Sequence, residues 1–105
     1  MSRDGDAETT DQKRARALEI LQASHTFPGA YTFTVIARSR DGVTAEIRQL
    51  VEVESAPLAD EHFVVTASSG GKYVSHRMVV HVTHAERVLA LYEQFRAIEG
   101  VIQLL

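Results

Sequence analysis

The chain of 105 residues has no cysteine, no tryptophan and only two prolines, and no apolar run approaches the roughly 18 residues that a membrane-spanning helix needs. Without cysteine there are no disulfides, no thiolate metal sites and no cysteine nucleophile, as in proteins of a reducing compartment. The formal net charge of −3 leaves no surplus of Lys and Arg, so binding to DNA or to an anionic membrane is not expected. The first residues also lack the apolar segment of a signal peptide. These absences favour a cytoplasmic protein.

Apolar residues make up 45% of the chain, which is sufficient for the core of one domain. The polar, aperiodic residues 1 to about 11 indicate a disordered tail. Gln12–Ala23 has the spacing of a short helix, with Asp11 as its predicted cap. We therefore predict an N-terminal extension over residues 1–24 and a folded domain over residues 25–105.

The first half of this domain changes from strand spacing to helix spacing. Tyr31–Ala37 is rich in β-branched and aromatic residues, which predicts a strand. A helix is predicted next, and Ser55-Ala56-Pro57 ends it. Its apolar stripe comprises Val43, Ile47, Leu50 and Val51.

Two alternating runs then meet at Gly70-Gly71, and glycine suits the positive φ angles of a tight hairpin turn. If these glycines form the turn, Ala67 lies opposite Val74 and the pairing extends outward from there. One face of the hairpin is then mostly apolar and the other is mixed, so the turn and the alternation agree on one register. The predicted pairs are Val65–His76 and Phe63–Met78 on the apolar face, and Thr66–Ser75, Val64–Arg77 and His62–Val79 on the mixed face.

The C-terminal third carries a second helix and a last strand. Thr83-His84-Ala85-Glu86 has the spacing of a capping box. Gly100 is the predicted C-terminal cap, and Val101–Leu105 the predicted strand. The apolar face of this helix comprises Val88, Leu91, Tyr92, Phe95 and Ile98.

The predicted order of elements in the domain is β-α-β-β-α-β. Two right-handed β-α-β crossovers place both helices on one face of a four-stranded antiparallel sheet. The predicted fold class is therefore α+β, a ferredoxin-like βαββαβ sandwich preceded by a short N-terminal helix. The sheet face that both helices cover is predicted to carry Phe33, Val35, Phe63, Val65, Met78 and Val80.

Two segments also resemble a known family. The string Ser68-Ser69-Gly70-Gly71-Lys72-Tyr73-Val74-Ser75 resembles the S-x-G-K-Y-x-S hairpin of the YbeD-like family of uncharacterised small bacterial proteins, and Phe27-Pro28-x-x-Tyr31-x-Phe33-x-Val35-Ile36 resembles its opening strand. The chain departs from that family at Thr34 and Ala37, where Lys and Gly are common. The resemblance implies a ferredoxin-like fold similar to ACT regulatory domains, which bind amino acids and dimerise. It also implies a role in regulating lipoate metabolism, and it brings no catalytic residues.

A candidate anion site lies between the first strand and the helix that follows. Arg38, Arg40 and Gly42 precede the helix N-terminus, where backbone N–H groups and two guanidinium groups suit a phosphate or a carboxylate. The segment also resembles the ACT strand–loop–helix junction, in which a glycine lets a ligand approach the backbone. The alternative is that both arginines face solvent and pair with Asp41. We predict a small anionic metabolite at this loop.

The sequence offers no catalytic or metal-binding constellation. His81 and His84 have an H-x-x-H spacing, but they straddle a strand end and a helix cap and have no third ligand. His76 falls on the apolar sheet face, where a neutral histidine bonded to a backbone carbonyl is expected. No serine lies in a nucleophile elbow. We therefore predict a non-enzymatic protein without metal or cofactor.

The second face of the sheet is predicted to be open. It is too apolar for bare water and too polar for a core, which is typical of a surface that contacts a partner protein or a second copy of the chain. The residues predicted there are Thr34, Ile36, Val64, Thr66, Tyr73, Ser75 and Arg77, with Thr32, Val79, Val101, Gln103 and Leu105 beside them.

The sequence thus favours a regulatory or binding module that acts through protein–protein or small-metabolite contacts and self-associates. The alternative is single-stranded RNA binding through the open face, because RNA-binding domains of this topology stack bases on aromatics of the central strands. Tyr73 is the one clear aromatic available for such stacking.

Overall fold

The computed structural model describes residues 9–105, and the tail predicted at the N-terminus lies mostly outside this range. The elements follow in the order α1 (Thr10–Ser24), β1 (Gly29–Arg38), α2 (Val43–Glu54), β2 (Phe63–Ala67), β3 (Tyr73–Val82), α3 (Ala85–Arg96) and β4 (Val101–Leu104), with a 3-10 turn at Asp60–His62. The strands form one antiparallel sheet in the order β2-β3-β1-β4. The predicted ferredoxin-like βαββαβ sandwich is confirmed.

Helix α1 begins two residues earlier than predicted, because its cap is Thr9 and not Asp11. The Gln12 amide donates to Thr9 Oγ1 at 3.1 Å, and the Thr9 amide donates to Gln12 Oε1 at 2.8 Å. This reciprocal pair satisfies two backbone donors of the helix start. Asp11 instead lies in the first turn, where its charge favours the helix dipole.

Helices α2 and α3 cover one face of the sheet. The apolar stripes predicted for both helices pack against β1 and β3, where Phe33 and Met78 have no exposed surface. Phe33 and Phe95 meet edge to face at 5.6 Å between ring centroids, which joins sheet and helix. Val65 was predicted in this core but is 43% exposed, because it lies on edge strand β2 beyond the cover of the helices.

The hairpin between β2 and β3 has the predicted register, from Phe63 opposite Met78 to Ala67 opposite Val74. The Gly71 amide donates to Ser68 O at 2.9 Å and closes the turn. Of the two glycines in this turn, Gly71 has a positive φ, +73°, and Gly70 does not. Five residues, 68–72, separate the two strands, so the connection is longer than a two-residue loop, and it uses a single left-handed position.

The predicted capping box at the start of α3 was also wrong. His84 takes the N-cap position, and no side chain caps the helix. The helix begins one residue later than the motif requires, so Glu86 lies one position too early to reach back. The Thr83 hydroxyl lies 2.8 Å from His84 Nδ1 instead. At the other end, Ala97 and not Gly100 is the C-cap.

Candidate functional site

The second face of the sheet lies away from α2 and α3. Alternate residues of β1 and β3 project there, opposite the buried ones, and their cross-strand pairs are Thr32–Val79, Thr34–Arg77, Ile36–Ser75 and Arg38–Tyr73. Strand β2 adds Val64, opposite Arg77, and Thr66, opposite Ser75. We call this surface the open face. Helix α1 contacts α3, on the other side of the sheet.

The open face mixes apolar and polar side chains. Val64 is 50% exposed, and Arg77 is exposed beside it. Ile36, Tyr73 and Val79 are each partly exposed in the two central strands. All seven residues predicted for a partner surface therefore lie on one face, and their contact with a partner stays a prediction.

One residue of strand β4, Val101, was predicted on the open face and does not lie there. Its register against β1 shifts between Ile36 and Ala37, so Ile102 is an extra residue without a partner in the pairing. This bulge turns Val101 toward the core, although simple alternation placed it on the open face. Gln103, opposite Ile36, remains on the open face as predicted.

The candidate anion site lies at the end of β1. Gly42 has a φ of +82° at the N-cap of α2, and a Cβ built there would meet nothing within 4 Å. Glycine is therefore required by the backbone conformation, and the space in front of it is open. No side chain caps α2.

The two arginines of this site lie on different sides of the chain. Arg38 is the last residue of β1 and is opposite Tyr73, so it belongs to the open face. Arg40 points to the helix layer, where Nη2 donates to Glu46 Oε1 at 2.6 Å and Nε donates to the carbonyl of Glu99 at 3.0 Å. Its Nη1 donates to the carbonyl of Asp41 at 3.3 Å. The sequence suggested pairing with Asp41, but the carboxylate that Arg40 contacts is Glu46.

Arg40 thus ties the β1–α2 loop to the α3–β4 loop. Three acceptors already occupy its guanidinium group, so an anion at this loop would meet a partly neutralised charge. Binding of an anionic metabolite at Arg38, Arg40 and Gly42 stays a prediction.

His76 is fully buried between the sheet and α2, with no exposed surface. Its Nδ1 lies 3.0 Å from the carbonyl oxygen of Val35, and its Nε2 lies 2.9 Å from Thr44 Oγ1. Because a carbonyl only accepts, Nδ1 carries the proton and Nε2 accepts from the Thr44 hydroxyl. Burial lowers the pKa of the imidazole, and the bond to Val35 opposes this lowering. The neutral core histidine bonded to a backbone carbonyl is the predicted arrangement.

The remaining histidines do not assemble a metal site. Among residues 9–105, no three His, Asp or Glu side chains stand close enough together to hold a metal ion. His84 is the N-cap of α3, and its Nδ1 is engaged with Thr83. The H-x-x-H spacing is therefore accounted for by a strand end and a helix start.

Sequence reasoning missed two features of the surface. Arg38 lies beside Tyr73 on the open face, which the alternation from Ile36 to Arg38 already indicated. A basic groove between α1 and α3, lined by Lys13, Arg14 and Arg96, had no local signal, because its two walls come from distant segments.

The four-stranded antiparallel sheet with two helices on one face and an open second face defines the class of ferredoxin-like α+β domains. The fold is similar to the ACT domain from GTP pyrophosphokinase of Chlorobium tepidum, solved in solution by NMR, with a TM-score of 0.59 and 13% sequence identity. The likeness covers 73% of this chain and 83% of that domain, and it shows the fold alone.

Residues 22–105 match the family described as protein of unknown function (DUF493). The chain is also 34% identical over 79 residues to UPF0250 proteins of Shewanella sp. (strain ANA-3) and Shewanella putrefaciens (strain CN-32), covering 75% of this chain and 88% of those proteins. The chain belongs to this family, and the predicted YbeD-like membership is confirmed. Neither the family description nor the relatives' names state an enzymatic activity.

No helix within residues 9–105 combines the length and the hydropathy of a membrane span.

Proposed function

We propose that this chain is a non-enzymatic regulatory or binding module that contacts a partner protein or a second copy of itself through the open face. The observation that carries the proposal is the exposure of apolar and polar residues together on one regular surface, with Val64 50% exposed next to Arg77. Such a mixture is typical of protein interfaces that also exist free in water. The similarity of the fold to an ACT domain supports a regulatory role for this chain.

The test is a charge placed on the open face. Val64→Glu buries a carboxylate in any contact that this face makes, so we expect the variant to lose self-association or partner capture. Light scattering behind size exclusion gives the mass over a wide range of protein concentrations. The matched control is Val53→Glu, because Val53 is 74% exposed on α2, outside the open face.

Two results contradict this use of the open face. The first is a wild-type protein that stays monomeric at every concentration and captures the same proteins from a lysate as Val64→Glu does. The second is an equal loss of association in Val64→Glu and Val53→Glu, which would place the contact elsewhere.

The module also responds, in our proposal, to a small anionic metabolite at the β1–α2 loop. The positive φ of Gly42 and the open space in front of it support this site. Calorimetry with amino acids, other small carboxylates and inorganic phosphate tests it. Arg38→Ala is the informative variant, because Arg40 already holds the loop together through its own bonds. No heat of binding with any of these anions would contradict the metabolite site.

A second candidate function is the binding of single-stranded RNA. The observation that favours it is the placement of Arg38 directly opposite Tyr73, with Arg77 on the same face. A stacking aromatic beside cations is typical of single-strand binding surfaces. In that case RNA retention falls steeply with salt, because bound phosphates release counterions. Tyr73→Ala should then weaken retention by about 1–3 kcal/mol, and retention that Tyr73→Ala leaves unchanged would contradict it.

A further inference from the structure

Helices α1 and α3 enclose a groove of about 440 Å³ between them. Its partly buried lining is mainly apolar, with Ala17 from α1 and Leu89 and Tyr92 from α3. Its exposed margin is polar, with Thr10 and Lys13 from α1 and Glu93 and Arg96 from α3. The groove therefore has an apolar floor and a charged rim.

The rim of this groove is basic although the chain is acidic. Lys13, Arg14 and Arg96 line it, and Glu93 is the one carboxylate among its described lining residues. Arg14 Nη1 lies 3.5 Å from Glu93 Oε2, but the two side chains are 40% and 65% exposed, so the pair is weak. The local charge is opposite in sign to the net charge of −3 for the whole chain.

The shared family domain does not account for this groove. The family match begins at residue 22, in the last turn of α1, so most of the wall that carries Lys13 and Arg14 lies outside it. Helix α1 also has no fully buried residue and adds little to the core. A contact surface formed by α1 is thus distinct from whatever the family has in common.

We propose that the groove between α1 and α3 binds an acidic peptide segment of a partner protein, one that also carries apolar side chains. Carboxylates of the peptide pair with Lys13, Arg14 and Arg96, and apolar side chains cover Leu89 and Ala17. The volume is many times the roughly 30 Å³ share of one water molecule, so several side chains fit. A small anion would leave the apolar floor uncovered.

RNA fits this groove less well than a peptide. Stacking needs free aromatic faces, and Tyr92 is the one aromatic among the described lining residues. Its ring already packs edge to face on Phe33, at 5.0 Å between centroids. Its hydroxyl donates to the main-chain oxygen of Leu105 at 3.1 Å.

The probe is a fluorescein-labelled peptide of twelve residues that combines Glu and Asp with leucines, titrated with the full chain and followed by anisotropy. A second peptide with Lys in place of the acidic residues is the ligand control. We expect Lys13→Glu and Arg96→Glu each to weaken binding about tenfold, because an attractive charge becomes a repulsive one. The matched control Lys72→Glu makes the same change at the exposed hairpin turn and should leave binding within about twofold.

Two further measurements distinguish a loss of binding at this groove from misfolding of the variants and from binding at the open face. Amide resonances of Lys13–Ala17 and Leu89–Arg96 should shift on adding the peptide, while thermal melts confirm that the variants fold. Val64→Glu should bind the peptide with the affinity of the wild type. The proposals for the open face and for the groove can therefore be contradicted independently.

Three outcomes overturn the proposal. One is no binding of the acidic peptide by the wild type, or equal binding of the basic peptide. Another is an equal loss of peptide affinity in Lys13→Glu and Lys72→Glu, which would indicate non-specific electrostatic attraction and no binding at the groove. The last is a single-stranded RNA that displaces the peptide and binds more tightly, which would assign the groove to nucleic acid.

Discussion

The two faces of the sheet are built from the same strands, yet their side chains differ in burial and in polarity. On the face that α2 and α3 cover, the closed face, Phe33, Val35 and Met78 have no exposed surface. His76, the one buried polar side chain among residues 9–105, has a partner on each ring nitrogen. On the open face, the same strands carry threonine, arginine and the half-exposed Val64. The closed face therefore determines stability, and the open face is available for contacts. Matched substitutions on the two faces test this division.

The largest difference is expected for aromatic residues. Phe95→Ala should lower the free energy of unfolding by about 3–5 kcal/mol, because it leaves a cavity against the closed face. Tyr73→Ala on the open face should cost about 1 kcal/mol or less. Urea denaturation followed by circular dichroism measures both. Equal losses would show that the open face is part of the stabilising core.

The second comparison changes threonine to valine at one site on each side. Thr44→Val removes the donor to His76 Nε2 and leaves a buried acceptor unsatisfied, so it should cost about 1–3 kcal/mol. Thr34→Val on the open face should change stability by no more than about 0.5 kcal/mol. The same denaturation measurement applies, and a neutral Thr44→Val would mean that His76 does not depend on this bond.

The third prediction concerns pH. The pKa of His76 is lowered in the folded state, chiefly by burial, so below pH 6.5 the unfolded chain binds a proton that the folded chain does not. Stability is then constant above the unfolded pKa and falls as the pH drops toward the folded pKa, by at most about 1.4 kcal/mol for each pH unit. His76→Gln should flatten this part of the profile. An unchanged slope in that variant would assign the acid sensitivity to other groups.

The smallest effect is expected at the end of β1. Arg40→Ala breaks the link from the β1–α2 loop to Glu46 and Glu99, and it should cost about 1 kcal/mol because the ion pair is partly exposed. Arg38→Ala, two residues earlier on the open face, should be close to neutral for stability. Melting temperatures of the pair give the comparison. Equal melting temperatures would mean that Arg40 is available for a ligand.

The alternation of apolar and polar residues predicted the closed face well. It failed at the edge strand β2 and at the irregular pairing of β4. Phe33, Val35, Phe63, Met78 and Val80 are buried as predicted, because a period of two is enforced over a long regular pairing. Val65 lies on the predicted face of the sheet, but it belongs to edge strand β2, where burial depends on how far α2 and α3 extend over the sheet. Val101 was predicted on the open face but lies against the core, because one extra residue in β4 reverses the alternation.

Helix caps were the least predictable local features. The S/T-x-x-E spacing at Thr83 was present, but the helix starts at Ala85, one residue too late for the box to form. The spacing Thr9 to Gln12, which does form a box, was overlooked beside Asp11. Several residues near a helix start can accept the same backbone donors, so the position of the helix in the fold selects among them.

The sequence by itself determined the strands, the helices, the hairpin register and the face on which each regular residue lies, because these depend on periodicity and turn chemistry over a few neighbouring residues. Only the tertiary structure decided that Arg40 meets the carbonyl of Glu99, 59 positions along the chain, and that Thr44 completes the bonds of His76. It also decided that α1 lies on α3 and forms the basic groove. These contacts join segments far apart in sequence, and their geometry follows from how whole elements pack.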